Sequence, residues 1–404
     1  MKKSIASLLL GTALSLIAAG VASAQDKVVK IGSLSDQSGL YADLGGPGST
    51  LAAQMAVEDS GLVAKGWKID VIAGDHQNKP DIGANIARQW FDLDKVDVIV
   101  DVPNSGVALA VNNVVKEKNG VFLDSGAGTS DLTNAHCTPN TIHWAYDTYT
   151  LAHGTGTALT KSGGDSWFFI TADYAFGHAL ERDTASFVTA AGGKVLGAVR
   201  HPLNTADFSS FLLQAQASKA KVVGLANAGG DTINAIKQAG EFGLTRKGDQ
   251  RVAALLLQFP DTHALGLEAA QGLIASETFF WDLNDATRAW TKRLVALNNG
   301  KPPSMIHAGT YGATLHYLKA VAAAGTTDAT KVVAKMKELP IDDFYTKGTV
   351  REDGRVMRPY YLLQVKKPSE SRYAFDYLKL LATVPAEEAA RPLSKSECPT
   401  VKKG

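Results

Sequence analysis

The feature that most constrains the fold of this chain is a regular alternation of short apolar runs with longer amphipathic stretches. The runs are rich in valine and isoleucine, as in Val-Asp-Val-Ile-Val at residues 96–100. In a first block we predict strands over residues 28–34, 68–73, 96–102 and 121–124, and helices over residues 48–59, 81–93 and 107–118. Strands that alternate with helices build parallel sheets with helices on both faces. The first block therefore predicts a doubly wound α/β unit.

A second block repeats this pattern further along the chain. Here we predict strands over residues 167–171, 194–199, 221–225 and 252–257, and helices over residues 177–191, 208–218 and 231–242. Later we predict helices over residues 285–297 and 308–323, and the next strand only over residues 360–365. With 404 residues the chain exceeds the usual size of one domain. The predicted fold class is α/β, with two doubly wound parallel-sheet lobes.

The N-terminus has the composition of a secretory signal peptide. Lys2 and Lys3 supply a positive start, residues 8–21 an apolar core, and Ala22-Ser23-Ala24 the pattern of small residues that a signal peptidase recognises. The apolar core is shorter than the roughly 20 residues that a membrane span needs, and a retained membrane anchor is the alternative. We therefore expect residues 1–24 to be cleaved after Ala24 and the mature chain to be exported.

The sequence contains two cysteines, Cys137 and Cys398. In an exported protein such a pair can persist as a disulfide, and two unpaired thiols are the alternative. A bridge would close a loop of more than two hundred residues, which the chain-entropy model values at about 4–5 kcal/mol. The two cysteines cannot form a structural zinc site alone, because such a site takes four ligands.

Charge and motif content disfavour several classes of function. Lysine and arginine together number 41 against 40 aspartates and glutamates, so the chain lacks the basic excess of a nucleic-acid-binding domain. The glycine cluster at residues 45–48 matches neither the dinucleotide-binding nor the P-loop pattern. The sequence contains no H-E-x-x-H, G-x-S-x-G or C-x-x-C motif. We expect no cofactor, no metal site and no catalytic residue.

Polar and small residues follow the predicted strands where α/β sheets bind ligands. Residues 35–41, 103–106 and 125–131 follow strands of the first block, and residues 173–177, 227–231 and 258–261 follow strands of the second. Ligands of open α/β sheets bind beside helix N-termini, which attract small anions. Ordinary helix capping is the alternative for any one loop. The loops predict a polar floor faced by Tyr174, Phe176 and Asn227, with Tyr41 and Tyr149 as further aromatic candidates.

The order and spacing of several short motifs resemble the leucine-type periplasmic binding proteins, the solute receptors of branched-chain amino-acid-type ABC importers. The motifs are Lys30-Ile31-Gly32 leading to Ser38-Gly39, the helix end Ala56-Val57-Glu58-Asp59, Asp173-Tyr174-Ala175-Phe176-Gly177, Asp207-Phe208-Ser209, and residues 238–244. The resemblance spans about residues 28–380. It implies a type I periplasmic-binding fold, in which three crossover segments form a hinge between two lobes that close on a ligand.

The resemblance also implies which residues of the first lobe bind the ligand. Asn104 and Ser105 fall where the family presents a serine to the ligand carboxylate. Gly126, Ala127 and Thr129 fall in the loop that adds backbone N–H groups and a threonine hydroxyl. These residues are therefore expected to hold the anionic end of the ligand.

In the second lobe the sequence departs from the family pattern. Phe176 stands where leucine binders carry a tyrosine, and Ala228 where they carry another aromatic residue. Gln258 stands about where the amino-acid binders place the carboxylate that holds the ligand ammonium, and Asp261 is the nearest acid. An ammonium buried without a partner is strongly unfavourable. The expected ligand is therefore a small carboxylate, either an aromatic or oxo acid or a branched-chain amino acid.

On this interpretation residues 25–145 and 278–345 form lobe 1, residues 146–277 and 346–390 form lobe 2, and residues 391–404 form a C-terminal tail. We expect a monomeric, non-enzymatic periplasmic receptor that delivers its ligand to a membrane permease. An exported hydrolase and a ligand sensor on the same scaffold are the alternatives. A DNA-binding regulator of related fold is disfavoured, because a signal peptide occupies the place of its helix-turn-helix.

Overall fold

Five parallel strands form the sheet of lobe 1 in the structure, a computed structural model that describes residues 27–244 and 250–401. They are β1 (Val28–Ser35), β2 (Lys68–Asp75), β3 (Val98–Asp101), β4 (Val121–Asp124) and β5 (Thr141–His143), in the order β2-β1-β3-β4-β5. Every residue of β3 and β4 is buried, which explains why both strands are apolar up to their final residues, Asp101 and Asp124. The predicted signal peptide lies outside the described residues.

Three helices of the first block follow the strands as predicted. They are α1 (Gly46–Ser60), α2 (Pro80–Gln89) and α3 (Ser105–Lys118). A single turn of π-helix, Trp90–Asp94, extends α2. Each of these three helices begins just after a strand, so the N-termini of α1 and α3 lie at the carboxyl edge of the sheet with the loops that follow β1 and β3.

Four parallel strands form the sheet of lobe 2. They are β6 (Ser166–Ala172), β7 (Lys194–His201), β8 (Val222–Ala226) and β9 (Arg251–Ala254), in the order β7-β6-β8-β9. The accompanying helices are α4 (Thr148–Lys161), α5 (Ala175–Ala190), α6 (Ser209–Ala217), α7 (Gly230–Glu241), α8 (Phe259–Leu265) and α9 (Leu267–Ala270). This sheet belongs to the second predicted block.

The C-terminal third supplies elements to both lobes. Its strands are β10 (Ile274–Glu277), β11 (Ile341–Asp342), β12 (Lys347–Val350), β13 (Val356–Met357), β14 (Tyr360–Val365) and β15 (Leu378–Val384). Strands β10, β14 and β15 form an antiparallel sheet whose buried side chains pack into the core of lobe 2. Its helices are α10 (Asp285–Leu297), α11 (Met305–Ala324), α12 (Ala329–Glu338) and α13 (Ala386–Ala389). Within residues 27–244 and 250–401, no helix combines the length and apolar character of a membrane span.

One predicted lobe boundary differs from the packing. We assigned residues from 346 onward to lobe 2, but Val350 and Val356 are buried in the core that β1, β3, β4, α11 and α12 share in lobe 1. The antiparallel strands β12 and β13 therefore belong to lobe 1, and the chain passes to lobe 2 only at Tyr360, where β14 begins. Residues 144–147, 278–284 and 358–359 are the three segments that cross between the lobes.

The C-terminal tail is bonded to lobe 1. Cys137 and Cys398 form a disulfide with a Cα–Cα distance of 5.5 Å, and Leu393 and Val401 pack beside it. Glu397 exchanges two hydrogen bonds with Asn134: the Asn134 Nδ2 donates to its carboxylate at 2.9 Å, and its own N–H donates to the Asn134 Oδ1 at 2.7 Å. The last described residues therefore lie on lobe 1, although β15 belongs to lobe 2.

His307 near the start of α11 gives the fold a specific pH dependence. Its Nε2 donates to the Gly45 carbonyl at 2.8 Å and its Nδ1 accepts from the Ser304 N–H at 3.1 Å, an arrangement that only the neutral ring satisfies. Burial lowers the pKa of His307 to about 4, whereas an unfolded histidine has a pKa near 6.5. The stability contributed by its neutral form is complete above about pH 6.5 and is lost as the pH falls toward 4.

In the wild type, protonation of this one group should lower the free energy of unfolding by about 1.4 kcal/mol per pH unit between pH 6 and pH 5. We expect this contribution to be absent from His307→Asn. Urea unfolding of the variant and the wild type at these two pH values measures it. His136, an exposed histidine, supplies the control variant His136→Asn, which should keep the wild-type pH dependence. An unchanged slope in His307→Asn would show that this ring stays accessible to protons.

Candidate functional site

Asn104 and Ser105 start helix α3 at the carboxyl edge of the lobe 1 sheet. The Asn104 Oδ1 caps the helix by accepting from the N–H groups of Gly106 at 2.9 Å and Val107 at 3.1 Å. Its Nδ2 is buried and has no hydrogen-bond partner among the described residues. The Ser105 Oγ accepts from the Thr129 N–H at 3.2 Å, which leaves the serine hydroxyl proton free to be donated. The structure thus brings Asn104, Ser105 and Thr129 together at a helix N-terminus.

Gly126 and Ala127 do not offer free N–H groups, contrary to the prediction. The buried Asp124 carboxylate accepts from the Gly126 N–H at 3.2 Å and from the Ala127 N–H at 2.8 Å. Burial raises the pKa of Asp124 well above its usual range, although these two N–H groups act in the opposite direction. An acidic side chain of the same lobe therefore satisfies the donors that the sequence assigned to a ligand.

Gly128 lies where lobe 1 meets an aromatic side chain of lobe 2. A Cβ atom on Gly128 would lie 2.6 Å from the Phe176 Cε2 and 2.8 Å from the Tyr146 Cε2. Tyr146 belongs to the first crossover segment, and its hydroxyl donates to the Gly126 carbonyl at 2.9 Å. The sequence did not identify Tyr146 as a candidate site residue, because its place beside Gly128 follows only from the path of the crossover segment.

Tyr41 and Tyr174 join the two lobes directly. Tyr41 follows β1 in lobe 1, Tyr174 precedes α5 in lobe 2, and their hydroxyl oxygens lie 2.7 Å apart. Burial raises the pKa of both phenols well above the usual range, so both hydroxyl groups stay protonated. Contacts of this kind, together with Phe176 against Gly128, show that the lobes are apposed in this structure.

Two predicted contact residues have other roles. The Asn227 Oδ1 accepts from the Thr232 hydroxyl at 2.8 Å, and its Nδ2 lies 3.2 Å from the His201 Nε2, so its amide is satisfied within lobe 2. Tyr149 packs its ring against Phe187 at 5.0 Å between centroids and under the Arg391 guanidinium at 4.6 Å. The Asn227 amide is therefore bonded within lobe 2, and the Tyr149 ring packs against Phe187 and Arg391.

Gln258 carries a buried amide without a hydrogen-bond partner. Neither its Oε1 nor its Nε2 is bonded to any described residue, although the side chain is fully buried. Its backbone N–H donates to Asp261 at 2.9 Å, so Asp261 caps the start of α8. Burial raises the pKa of Asp261 to about 7. Ala228, two residues beyond the end of the neighbouring strand β8, is also buried.

Glu277 is a buried carboxyl group that the sequence analysis did not identify. It ends strand β10, is 1% exposed, and its Oε1 has no hydrogen-bond partner in the described part of the chain. Burial raises its pKa well above the usual value, Asp261 acts in the same direction, and a hydrogen bond from the Phe259 backbone opposes them. The nearby Tyr360 hydroxyl is likewise buried and unpartnered. Gln258, Glu277 and Tyr360 form what we call the polar corner.

The described ranges contain no cluster of three or more histidine, cysteine or acidic side chains arranged to hold a metal ion. The groups of the site suit a different chemistry: hydroxyl and amide donors at the start of α3, an aromatic wall, and a polar corner on lobe 2 and the hinge. Donors at a helix N-terminus attract an anion, and aromatic rings bury an apolar body. The arrangement therefore suits the binding of a small organic anion.

Comparisons with known proteins agree with this arrangement. The chain matches the family model described as periplasmic binding protein over residues 28–371. It is similar to the crystal structure of a periplasmic binding protein from Burkholderia mallei, with 52% identity and a TM-score of 0.90 over 93% of this chain and 100% of that chain. It is also similar to a branched chain amino acid ABC transporter periplasmic ligand-binding protein from Burkholderia xenovorans LB400, with 40% identity and a TM-score of 0.81 over 92% and 99% of the two chains.

More distant relatives extend the same pattern. A Leu/Ile/Val-binding protein homolog 6 from Brucella melitensis is 25% identical over 90% of this chain and 94% of its own length. At the level of fold alone, an ABC transporter solute binding protein from R. palustris, solved in complex with benzoate, has 21% identity and a TM-score of 0.77 over 89% and 97% of the two chains.

These similarities confirm the predicted type I periplasmic-binding fold and its two lobes. The family and the structural neighbours are substrate-binding proteins and not enzymes, which agrees with the absence of catalytic motifs from the sequence. The chain therefore belongs to the periplasmic binding protein family, among the leucine-type substrate-binding proteins of branched-chain amino-acid ABC transporters.

Proposed function

We propose that this protein captures a small carboxylate between its two lobes and delivers it to the membrane permease of an ABC importer. The observation that carries the proposal is the unpartnered Asn104 Nδ2 beside the Ser105 hydroxyl at the start of α3. A buried donor without an acceptor is unfavourable, and a carboxylate oxygen satisfies it. The positive end of the helix dipole favours the same ligand charge.

The body of the ligand would lie against the aromatic side chains of both lobes. Tyr146 and Phe176 lie against Gly128, and Tyr41 and Tyr174 meet between the lobes. All four rings are buried or half-buried and favour an apolar or aromatic group. The benzoate complex of the R. palustris neighbour supports an aromatic acid as one ligand of this fold. Shape and apolar character therefore favour a compact acid over a long or highly charged solute.

The polar corner would select the other end of the ligand. Burial favours the neutral forms of Glu277 and Asp261, because it raises the pKa of both carboxyl groups. Neutral carboxyl and amide groups pair well with a hydroxyl or oxo group, whereas an ammonium needs an ionised partner. We therefore place amine-free aromatic or oxo acids ahead of branched-chain amino acids as ligands, with Gln258 as the principal contact.

The proposal also includes export of the chain, cleavage of its signal peptide and its monomeric state. Family membership implies an exported, periplasmic protein, and the sequence at Ala22-Ser23-Ala24 supports cleavage after Ala24. The sequence-predicted lobes, with the boundary moved beyond β13, would act as the two halves of a monomeric receptor. Intact mass of the secreted protein and its mass in solution measure the cleavage point and the monomeric state.

A thermal-shift screen of refolded, ligand-free protein identifies the ligand class. The panel contains benzoate, 4-hydroxybenzoate, phenylpyruvate, 2-oxoisocaproate, leucine and valine. A ligand at a hundred times its Kd adds about 2.7 kcal/mol of stability, which shifts the midpoint by several degrees. Shifts confined to the amine-free acids would support the proposed ligand class, whereas shifts with leucine or valine alone would show that Glu277 or Asp261 ionises against an ammonium.

Ser105→Ala should weaken binding of the tightest carboxylate in that panel by about 10- to 100-fold, since it removes a hydrogen bond to a charged group worth about 1.5–3 kcal/mol. Isothermal titration calorimetry measures the change. Ser210→Ala, on the exposed face of α6 in lobe 2, is the matched control and should bind like the wild type. An unaltered Kd in Ser105→Ala would remove Ser105 from the carboxylate site.

A further inference from the structure

The chain beyond β15 runs from lobe 2 to lobe 1, and we call residues 385–401 the strap. At its start, α13 packs against α4 of lobe 2. At its end, Cys398 is bonded to Cys137 of lobe 1, and Glu397 is hydrogen-bonded to Asn134. The strap is therefore attached to both lobes, and one of the two attachments is covalent.

Arg391, in the middle of the strap, contacts both lobes with one side chain. Its guanidinium lies 4.6 Å from the ring centre of Tyr149 on α4 and 3.9 Å from the carboxylate of Asp183 on α5. The Nη2 donates to the Ser130 hydroxyl of lobe 1 at 3.2 Å. The Arg391 carbonyl accepts from the Arg351 Nη1 of lobe 1 at 2.9 Å.

The surface under Arg391 is a polar junction between the lobes. The Asp183 carboxylate of lobe 2 accepts from the Ser130 hydroxyl of lobe 1 at 2.8 Å and from the Thr148 hydroxyl at 2.6 Å. Asp183 is 6% exposed and pairs with the Arg182 Nε at 3.0 Å. A buried carboxylate depends on its partners, so separation of Ser130 from Asp183 weakens the junction.

Few residues of the strap lie between its attachments. Only residues 390–396 connect the end of α13 to Glu397, and Arg391 is itself held at the junction. Opening of the lobes along this edge must therefore stretch this short segment or detach Arg391. The three crossover segments alone would leave the edge free to open.

We propose that the strap is a fourth connection between the lobes, and that Arg391 is a positioning residue that keeps the unliganded protein close to its closed arrangement. A protein whose binding-competent form is more populated binds its ligand with a lower apparent Kd. The strap thereby raises affinity without contacting the ligand. This inference concerns the unliganded protein and does not rest on the proposed ligand class.

Small-angle X-ray scattering and amide hydrogen exchange of the unliganded mature protein test the proposal. Arg391→Ala, with the disulfide intact, should show a larger radius of gyration and about tenfold faster exchange of the amides at residues 130–133. The double variant Cys137→Ser/Cys398→Ser should show the same changes to a greater extent. Arg391→Lys should show smaller changes than Arg391→Ala, because lysine keeps the charge but not the planar contact with Tyr149.

Lys395, an exposed residue of the same strap, supplies the matched control Lys395→Ala, which should behave like the wild type. Circular dichroism establishes that each variant is folded, and Arg391→Ala carries the test if the cysteine variant fails to fold. The wild-type radius of gyration and wild-type exchange in folded Arg391→Ala would overturn the proposal. A panel in which no carboxylate binds would overturn the proposed ligand chemistry and leave this measurement unaffected.

Discussion

Replacing Arg355 by alanine is expected to lower the free energy of unfolding by about 3–5 kcal/mol, because it leaves a buried carboxylate without its partner. The Arg355 Nη1 lies 3.2 Å from the Asp147 carboxylate, and their side chains are 4% and 3% exposed. Burial raises the pKa of Asp147, but the charges of Arg355 and His143 and two hydrogen bonds from Thr150 outweigh it, so the pKa is lowered. The pair connects the turn before β13 to the first crossover segment.

Urea unfolding at pH 7 measures the loss. The pair's contribution is present at pH values above the unfolded pKa of about 4 and is lost as the pH falls further, so the difference between variant and wild type should shrink in acid. Arg288→Ala is the matched control, since the Arg288 side chain is 44% exposed where it pairs with Asp282 and such pairs contribute about 0–1 kcal/mol. A loss below 1 kcal/mol for Arg355→Ala would mean that water reaches Asp147.

Replacing Gly128 by alanine is expected to weaken ligand binding by about 5- to 150-fold, because the apposed lobes leave no room for the added methyl group. The added Cβ would lie 2.6 Å from the Phe176 Cε2, an approach that real Cβ atoms essentially never show. Overpacking of this kind costs about 1–3 kcal/mol. Phe176 belongs to the opposite lobe, so its contact with the added Cβ disfavours the closed arrangement. The Tyr146 Cε2 would lie 2.8 Å from the same Cβ, and this contact should also lower the stability of the unliganded protein.

Calorimetry with the tightest carboxylate of the screening panel measures this effect, and thermal unfolding without ligand measures the stability. Gly154→Ala is the matched control, because a Cβ there would meet only the Ser276 Oγ, at 3.6 Å. Gly154 lies within α4, where alanine is favoured over glycine by about 0.5–1 kcal/mol. Equal affinity in wild type and Gly128→Ala would show that Phe176 gives way without separating the lobes.

The sequence predicted the central strands of the parallel sheets because these strands are buried on both faces. The strand β4 (Val121–Asp124) appears at the predicted position, and so does β14 (Tyr360–Val365) of the antiparallel sheet. The strand β5 (Thr141–His143) and the helix α4 (Thr148–Lys161) were not predicted. The first is only three residues long, and the second is rich in threonine and glycine, which have low helix propensity. Tertiary packing decides the structure of such segments.

The candidate site was predictable only in part, for a different physical reason. Ser105 and Thr129 lie together because the ends of neighbouring parallel strands meet at one edge, which the strand order already implies. No local pattern in the sequence indicates that a polar group will be hydrogen-bonded by another part of the same lobe. Asp124 accepts a hydrogen bond from the Ala127 N–H, and the Thr232 hydroxyl donates one to the Asn227 Oδ1. Only the folded structure defines these contacts.

Glu277 is the opposite case, a residue of the candidate site that no pattern in the sequence indicated. It ends a short strand that was not predicted, and its neighbours in the sequence give no indication of a ligand. Its importance comes from burial together with the approach of Phe259 and Tyr360, which are distant in sequence. A buried acid at the end of an unrecognised strand can be identified only from the structure.

The late position of the last lobe 1 elements has a consequence for folding during synthesis. The core of lobe 1 combines β1 with Val332 of α12 and Val356 of β13, so a nascent chain contains a complete lobe 1 only after residue 356 has been made. The core of lobe 2 is complete only after Leu378 of β15 has been made. Neither lobe can finish folding on a ribosome that has made only the first half of the chain, and contacts between such distant residues form slowly. The order of the segments thus delays compaction until translation is nearly over.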